Sequence, residues 1–347
     1  MEGQDTLKII SNLREQVNGV SLPPELKGRL IVRLERLERI VGTPLAFEEL
    51  DRTANYIDWT VSLPWTKPGD DILDLEYAKK ILDKNHFGLE DMKDRILEFI
   101  SVIKLNKEKG NRTKSPILSF VGLAGTGKTT VAYSVAEALG KKFYRIPFGG
   151  MGDPQELRGQ SKVVPEAEPG RVMKALKSVN VKNPVILLDE IDRVDEEKRA
   201  TIMGVLVELL DPEQNVNFVD HYIDYPFDLS EVLFITTGNN TTNIATAVLD
   251  RLEVIHMPSY TDDQKINIGK NYMLPKVIAQ SGLPKEAVIL DDNVWINIVR
   301  PLGFDAGMRT LERTIDGIVR KVAREVVEGK LTGIHLTDQN IKQYLPR

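Results

Sequence analysis

A glycine-rich segment that ends in lysine and threonine is the part of the sequence most suggestive of chemistry. It reads Gly122-Leu-Ala-Gly-Thr-Gly-Lys-Thr129, follows an apolar run at 117–121 and precedes a helical pattern at 130–139. Glycines here let backbone N–H groups approach phosphate oxygens, and a helix N-terminus adds favourable partial charge. The segment therefore predicts a phosphate-binding loop between a strand and a helix. The alternative is a glycine-rich turn without a ligand.

The side chains at the end of this loop suit a nucleotide and its metal. We expect Lys128 to neutralise the β- and γ-phosphates, and Thr129 to offer a hydroxyl ligand to Mg²⁺. The predicted nucleotide contacts in the loop are Gly122, Leu123, Ala124, Gly125, Thr126, Gly127, Lys128, Thr129 and Thr130.

Two consecutive carboxylates, Asp189 and Glu190, follow a second apolar run at 185–188. Ligands of open α/β sheets bind at the carboxyl ends of the strands. We expect Asp189 to contact nucleotide-bound Mg²⁺ through a water, and Glu190 to act as the general base toward the attacking water. An Asp-Glu pair is also a common start of a helix, so the glycine loop is what favours the catalytic interpretation.

A polar segment, Thr236-Thr-Gly-Asn239, ends a third apolar run. An uncharged amide at a strand end could orient water against the γ-phosphate, and Asn239 is the candidate for this role. Gly-Asn-Asn is also ordinary turn chemistry, so a plain turn is the alternative.

Short apolar runs alternate with amphipathic segments through the middle of the chain. This pattern predicts an α/β fold with a parallel sheet covered by helices on both faces. The candidate strands are 117–121, 143–148, 185–189, 232–237 and 254–257.

Helical patterns flank this central region. Leu30, Leu34, Leu37 and Val41 recur among charged residues, which predicts an amphipathic helix in a small bundle, with a partner-binding arm as the alternative. Two prolines and a glycine at 63–69 are expected to end the helical region. After residue 260 the strand signals fade, and helices are predicted near 262–280, 291–300 and 305–328, punctuated by Gly282, Pro284, Pro301 and Gly303.

These patterns predict three domains in the 347 residues. They are an N-terminal helical region at 1–84, an α/β domain at 85–258 and a helical domain at 259–347.

Composition excludes several classes of function. The chain has no cysteine, so it has no disulfide, no thiolate metal site and no cysteine nucleophile. A net charge of −5 makes nucleic acid an unlikely partner, and the short basic run at 104–114 is predicted to be a solvated linker. No apolar run reaches the ~18 residues of a membrane span and no signal peptide is evident. We therefore expect a cytoplasmic protein without membrane contact, with an organelle interior after processing as the alternative.

Several strings beyond the glycine loop resemble the AAA+ region of the Lon family of ATP-dependent proteases. The resemblance extends from about residue 56 to the C-terminus. It rests on Asn183-Pro-Val-Ile-Leu-Leu-Asp-Glu-Ile-Asp192, Leu209-Leu-Asp-Pro-Glu-Gln-Asn215, Asp220-His-Tyr222, Leu249-Asp-Arg-Leu-Glu-Val-Ile255, Tyr56-Ile-Asp-Trp59, Leu63-Pro-Trp65, His86-Phe-Gly-Leu89 and Lys93-Asp-Arg-Ile-Leu-Glu98.

The resemblance implies a P-loop AAA+ fold with a helical lid, and ATP with Mg²⁺ as cofactors. It implies that Asn239 is sensor 1, that Arg251 is an arginine finger reaching the ATP of a neighbouring subunit, and that Arg309 is sensor 2 on the lid. For each arginine the alternative is an ordinary ion pair. It further implies a homo-hexamer, protein substrates, and an adenine side formed by His86, Phe87 and Gly88.

Two features depart from the family pattern. Where the family carries an aromatic residue and an aliphatic partner in its substrate-gripping pore loop, this chain has Val164 and Pro165. The sequence also stops at Arg347, where the family continues into a Ser-Lys protease domain, so peptide-bond cleavage is not expected from these residues.

These patterns leave more than one function open. The first is a Lon-type unfoldase motor that feeds protein substrates to a protease domain or subunit outside this sequence. The second is an AAA+ remodelling or assembly module that uses nucleotide as a switch on a protein or DNA partner. A nucleotide-binding subunit without turnover is disfavoured by Glu190, Asn239, Arg251 and Arg309.

Overall fold

A parallel five-stranded sheet forms the centre of the molecule. The computed structural model describes residues 2–110, 117–300 and 307–345. The strands of the sheet are β1 (Ile117–Val121), β2 (Phe143–Pro147), β3 (Val185–Asp189), β6 (Leu233–Gly238) and β7 (Leu252–His256), in the spatial order β2-β3-β6-β1-β7. Two two-stranded sheets are formed by β4 (Phe218–Val219) with β5 (Pro226–Phe227), and by β8 (Val288–Leu290) with β9 (Ile334–Leu336).

Helices surround this sheet and form the two ends of the described chain. They are α1 (Glu2–Gly19), α2 (Pro24–Ile40), α3 (Pro44–Ser62), α4 (Leu75–Asn85), α5 (Glu90–Glu108), α6 (Lys128–Ala138), α7 (Gln155–Arg158), α8 (Arg171–Val179), α9 (Arg199–Leu210), α10 (Thr246–Leu249), α11 (Asp262–Ile268), α12 (Leu274–Gln280), α13 (Asp292–Val299), α14 (Arg309–Val327) and α15 (Ile341–Tyr344). None of these helices is long and apolar enough to cross a bilayer.

The register of the sheet brings three predicted motifs to one edge. Val121 pairs with Gly238, and Leu188 pairs with Thr236. Because parallel strands end on the same side, the glycine loop after β1, the carboxylates at the end of β3 and the amide after β6 must meet there.

The alternating side chains of the strands enter two different cores. Ile186, Leu188 and Phe234 join one apolar cluster, while Val185 and Leu187 join a second cluster on the opposite face. Both faces are therefore buried, which is why these strands are nearly continuous apolar runs. The predicted fold class, a parallel sheet between helices, is confirmed.

The N-terminal helices pack together and also against the sheet domain. Leu30, Leu34 and Leu37 of α2 are buried, and they belong to the same apolar cluster as the strands of one sheet face. The hydroxyl of Tyr56 on α3 donates to the carbonyl of Ile223 at 2.8 Å. The amphipathic pattern is thus satisfied by bundle packing.

The C-terminal helices enclose a third apolar cluster around Trp295. The predicted helix at 262–280 is α11 and α12 joined by a π-helical turn at Gly269–Met273. The expectation that strands end after residue 260 is wrong, because β8 and β9 pair in parallel within this region. Each has three residues, which is too short for a period-two pattern to register.

The remaining differences concern boundaries. Three of the five predicted strands shift by one or two residues at an end, and the helix predicted from residue 130 begins at Lys128. The expected linker at 104–114 is wrong for 104–108, which continues α5, whereas 111–114 lies outside the described residues. Pro301, Gly303 and the first residues of the helix predicted at 305–328 also lie outside them, and α14 begins at Arg309.

Candidate nucleotide site

A cavity of about 590 Å³ opens at the carboxyl edge of the sheet, between the sheet domain and the C-terminal helices. The predicted residues that line it are His86, Phe87, Ala124, Gly125, Gly127, Lys128, Thr129, Thr130, Asp189, Glu190 and Arg309. The predicted residues that do not line it are Gly88, Gly122, Leu123, Thr126, Asn239 and Arg251. Its size is within the range of small-molecule sites.

The glycine loop needs glycine at several of its positions. Gly125 and Gly127 have φ values of 84° and 93°, a region that side chains with a Cβ rarely adopt. A Cβ on Gly122 would lie 2.5 Å from the carbonyl oxygen of Met257. The loop leads directly into α6, whose first residues Lys128, Thr129 and Thr130 line the cavity, and a helix N-terminus favours an anion.

Lys128 is buried and held inside the loop. Its Nζ donates to the carbonyl oxygens of Gly122 at 2.6 Å and Leu123 at 2.9 Å. Burial lowers the pKa of Lys128, and the nearby carboxylates of Asp192, Glu190 and Asp189 act in the opposite direction. The ammonium group is thus placed at the cavity wall by fixed backbone contacts.

Asp189 is buried at the end of β3 and hydrogen-bonded through both oxygens. Its Oδ1 accepts from the Thr237 hydroxyl and lies 3.3 Å from the Thr129 hydroxyl, while Oδ2 accepts from Arg145 Nε at 2.6 Å. A hydroxyl oxygen and a carboxylate oxygen are both ligands that Mg²⁺ binds, and here they lie side by side. No group of three or more His, Asp and Glu within the described ranges could hold a metal alone, so a cation here would also need phosphate oxygens.

Glu190 occupies a left-handed backbone conformation, with φ of 59°. Its N–H donates to the Thr237 hydroxyl at 2.9 Å, and its carboxylate lies 3.5 Å from the Arg193 guanidinium. A Cβ on Gly149 would approach Glu190 Oε2 to 3.2 Å, so a glycine faces the carboxylate. The conformation is unusual for glutamate and is maintained by contacts on both sides.

Asn239 lies behind the lysine and does not line the cavity itself. Its Oδ1 is 3.2 Å from Lys128 Nζ, and its backbone N–H donates to Asp192 Oδ2 at 3.0 Å. Asp192 is almost fully buried. Asn239 therefore contacts the lysine through its amide and is positioned by a carboxylate two residues beyond Glu190.

The predicted adenine side is partly polar. His86 is buried, and its Nε2 lies 2.9 Å from the Ser134 hydroxyl. Burial, with a smaller contribution from Lys93, lowers the pKa of His86 to about 4, so the imidazole is neutral near pH 7. Phe87 packs against Tyr272 of the C-terminal region, with ring centroids 6.5 Å apart.

The C-terminal helical region touches the glycine loop directly. The N–H of Met308 donates to the Gly125 carbonyl at 3.0 Å, and the Tyr260 hydroxyl donates to the Thr126 carbonyl at 3.2 Å. Arg309 follows at the start of α14 and lines the cavity.

Arg251 lies at the opposite edge of the sheet. Its carbonyl accepts from the N–H of Ile117 at the amino end of β1, whereas the glycine loop follows the carboxyl end. Five residues of strand separate the two ends by roughly 16 Å. The Arg251 guanidinium pairs with Asp211 at 2.6 Å, so it does not belong to the cavity of its own chain.

Two residues that contact Asp189 have no role predicted from the sequence. Thr237 joins Asp189 to the backbone of Glu190, and Arg145 pairs with Asp189 from β2. Thr237 was within the quoted polar segment, but a threonine in an apolar strand gives no distinct signal. Arg145 interrupts an otherwise apolar strand, and that interruption is the signal that could have identified it.

The fold and site define a P-loop nucleotide-binding protein of the α/β class. Residues 118–259 match the ATPase family associated with various cellular activities (AAA), and residues 279–334 match the Lon protease AAA+ ATPase lid domain. The chain is 41% identical to Lon protease 2 of Herpetosiphon aurantiacus over 336 residues, and 42% identical to Lon protease of Lawsonia intracellularis over 336 residues. Each alignment covers 97% of this chain and 40% of the relative.

The chain is therefore an AAA ATPase of the Lon family, with the family's lid domain. It spans about 40% of the length of the curated relatives it matches. The resemblance to the AAA+ region of the Lon family is confirmed. The expectation of ATP hydrolysis is confirmed as well.

Proposed function

We propose that the chain is the ATP-driven motor module of a Lon-like protease, unfolding protein substrates and feeding them to a proteolytic domain. The observation that carries this proposal is the contact between lid and glycine loop, made by Met308 with Gly125 and by Tyr260 with Thr126. A nucleotide in the loop binds beside these hydrogen bonds, so its binding and release can shift the equilibrium between lid positions.

The proposed chemistry divides among few residues. Mg²⁺, held by Thr129 directly and by Asp189 through water, would neutralise charge on the phosphates. Lys128 binds the β- and γ-phosphates, and Glu190 accepts a proton from the attacking water. Asn239 orients that water, and Arg309 approaches the phosphates from the lid.

We further propose that hydrolysis takes place between subunits of a homo-hexamer. The position of Arg251 supports a shared site, because an arginine at the amino edge of the sheet is too far to serve its own cavity. In a ring, this edge of one subunit can face the carboxyl edge of the next.

The loop at 159–170 is the proposed contact with protein substrates. Its tip presents Val163, which is 78% exposed, and Val164, which is 48% exposed. The base of the loop is fixed by Asp220, whose carboxylate accepts from the N–H of Gly170 at 2.7 Å. Two exposed valines before Pro165 supply apolar contact where the family pattern has an aromatic residue and an aliphatic partner.

We propose the same three domains as the sequence suggested: the helical region at 1–84, the ATPase at 85–258 and the lid at 259–347. Cytoplasmic location, absence of membrane contact and absence of nucleic-acid binding are part of the same proposal. The mild negative charge of the chain supports the last point.

A remodelling or assembly module that switches with nucleotide is the second candidate. The absence of an aromatic residue at Val164 and Pro165 favours it, because valine offers less area for gripping an extended chain.

Unfolding of a tagged fluorescent protein by this chain with Mg²⁺ and ATP tests the proposal. We expect ATP-dependent loss of the native fluorescence, and no loss with Glu190→Gln. Steady ATP hydrolysis without unfolding of any tagged substrate would reject the motor and support the switch.

A further inference from the structure

Arg145 is a basic residue in the nucleotide cavity to which neither motif nor family resemblance gave a role. It lies on β2, lines the cavity, and donates from Nε to Asp189 Oδ2 at 2.6 Å. The Asp189 side chain is 4% exposed, while that of Arg145 is 50% exposed. The pair thus joins a buried carboxylate to a cation at the cavity wall.

The other contacts of Asp189 are uncharged. Its Oδ1 is occupied by the hydroxyls of Thr237 and Thr129. Lys128 directs its ammonium to two carbonyls and to Asn239 instead. Among the described residues, Arg145 is therefore the cation paired with Asp189.

The cavity as a whole has nearly balanced charges. Its acidic lining residues are Glu137, Asp189, Glu190 and Glu312, and its basic ones are Lys84, Lys128, Arg145, Lys276 and Arg309. His86 adds no charge near pH 7, because burial lowers its pKa to about 4. Removing the Arg145 guanidinium would therefore leave the lining with no net positive charge.

We propose that Arg145 is a charge-balancing residue that sets how tightly the site holds nucleotide relative to its divalent cation. This inference rests on the proposed nucleotide site. The guanidinium attracts the phosphates and so strengthens nucleotide binding. It weakens the binding of the divalent cation, because it repels that ion and occupies Asp189 Oδ2. An arginine suits this role because its planar guanidinium can pair with a carboxylate through Nε and still offer further N–H donors to phosphate oxygens.

Replacing Arg145 should therefore change two affinities in opposite directions. In the Arg145→Gln variant, we expect the affinity for a fluorescent ATP analogue to fall at least about threefold when EDTA removes divalent ions. The affinity of the nucleotide-loaded variant for Mn²⁺ should rise at least about threefold. Electron paramagnetic resonance of Mn²⁺ measures this affinity. Neither readout depends on turnover.

Two further variants sharpen the test. Arg145→Lys keeps the charge and should retain the parent's ATP affinity in EDTA. Arg324→Gln is the control. It removes an exposed arginine of α14 that pairs with Glu328, and it should change neither affinity. Circular dichroism verifies folding, and Arg145→Ala provides the same test if the glutamine variant does not fold.

Loss of both affinities together would overturn the proposal, because it would mean that Arg145 only supports Asp189. Unchanged affinities for both would overturn it as well. Failure of the nucleotide site itself is distinguishable, since the unmodified chain would then bind no ATP.

Discussion

The side-chain oxygen of Asn239 lies 3.2 Å from Nζ of Lys128, which connects the end of β6 to the start of α6. The backbone of Asn239 is in turn held by Asp192, close to Glu190. Residues from three separate motifs thus form one hydrogen-bonded network at the carboxyl edge of the sheet. A substitution at one of these residues is therefore expected to alter the positions of the others.

Glu190→Gln is expected to separate binding from hydrolysis. The amide cannot accept a proton from water, while Lys128 and the glycine loop remain intact. We predict ATP affinity close to that of the unmodified chain and a turnover rate lower by about a hundredfold or more. Phosphate release measures the rate, with Glu196→Gln, an exposed glutamate outside the cavity, as the control. Turnover at the unmodified rate would assign the base to another residue.

Thr237→Val is expected to damage both stability and hydrolysis. The hydroxyl donates to Asp189 and accepts from the N–H of Glu190, so valine leaves that N–H without its partner and removes one of the two hydroxyls at Asp189 Oδ1. We predict a loss of about 1–3 kcal/mol in the free energy of unfolding, with slower hydrolysis. Urea denaturation measures the former. Thr237→Ser keeps the hydroxyl and should restore both properties; an equal defect in the serine variant would contradict this explanation.

His86 is expected to make stability depend on pH. Its pKa is about 4 in the folded chain and near 6.5 when unfolded, so between these values the unfolded chain binds the extra proton. The free energy of unfolding should therefore fall as the pH is lowered from 6.5 toward 4, by about 3 kcal/mol at most. Below pH 4 this contribution should change no further.

Urea denaturation at pH 7 and pH 4.5 measures this effect. His86→Gln should reduce the difference between the two pH values, whereas His221→Gln, which replaces an exposed histidine, should not. An unchanged difference in the His86 variant would mean that other groups cause the pH dependence.

Arg251→Ala and Lys128→Ala are expected to complement each other. Arg251 is at the sheet edge opposite its own cavity, so each proposed site takes its arginine from a neighbouring subunit. Each variant alone should be inactive, and mixed rings should regain part of the ATPase rate at sites with both residues intact. Phosphate release from a mixture with proven co-assembly is the measurement. No recovery would argue against a shared site.

The central sheet was predictable because its strands are buried on both faces and therefore read as apolar runs. The glycine loop was predictable because Gly125 and Gly127 need backbone angles that other residues avoid. In contrast, β8 and β9 are too short to produce a pattern. The roles of Arg145 and Thr237 depend on which strands lie side by side, since their partner Asp189 is more than 40 residues away along the chain.

The position of Arg251 illustrates the same limit. The resemblance implied that Arg251 reaches the ATP of a neighbouring subunit, but only the sheet register shows that it lies at the edge opposite its own cavity, paired with Asp211. Sequence spacing does not report which end of a strand a residue faces.

Titration of nucleotide onto Lys128→Ala tests the central claim most directly. We predict that the unmodified chain binds ATP in the presence of Mg²⁺, that Lys128→Ala loses this binding because the cation for the phosphates is gone, and that Lys342→Ala, at an exposed position on α15, retains it. Equal ATP affinity for Lys128→Ala and the unmodified chain would contradict the account.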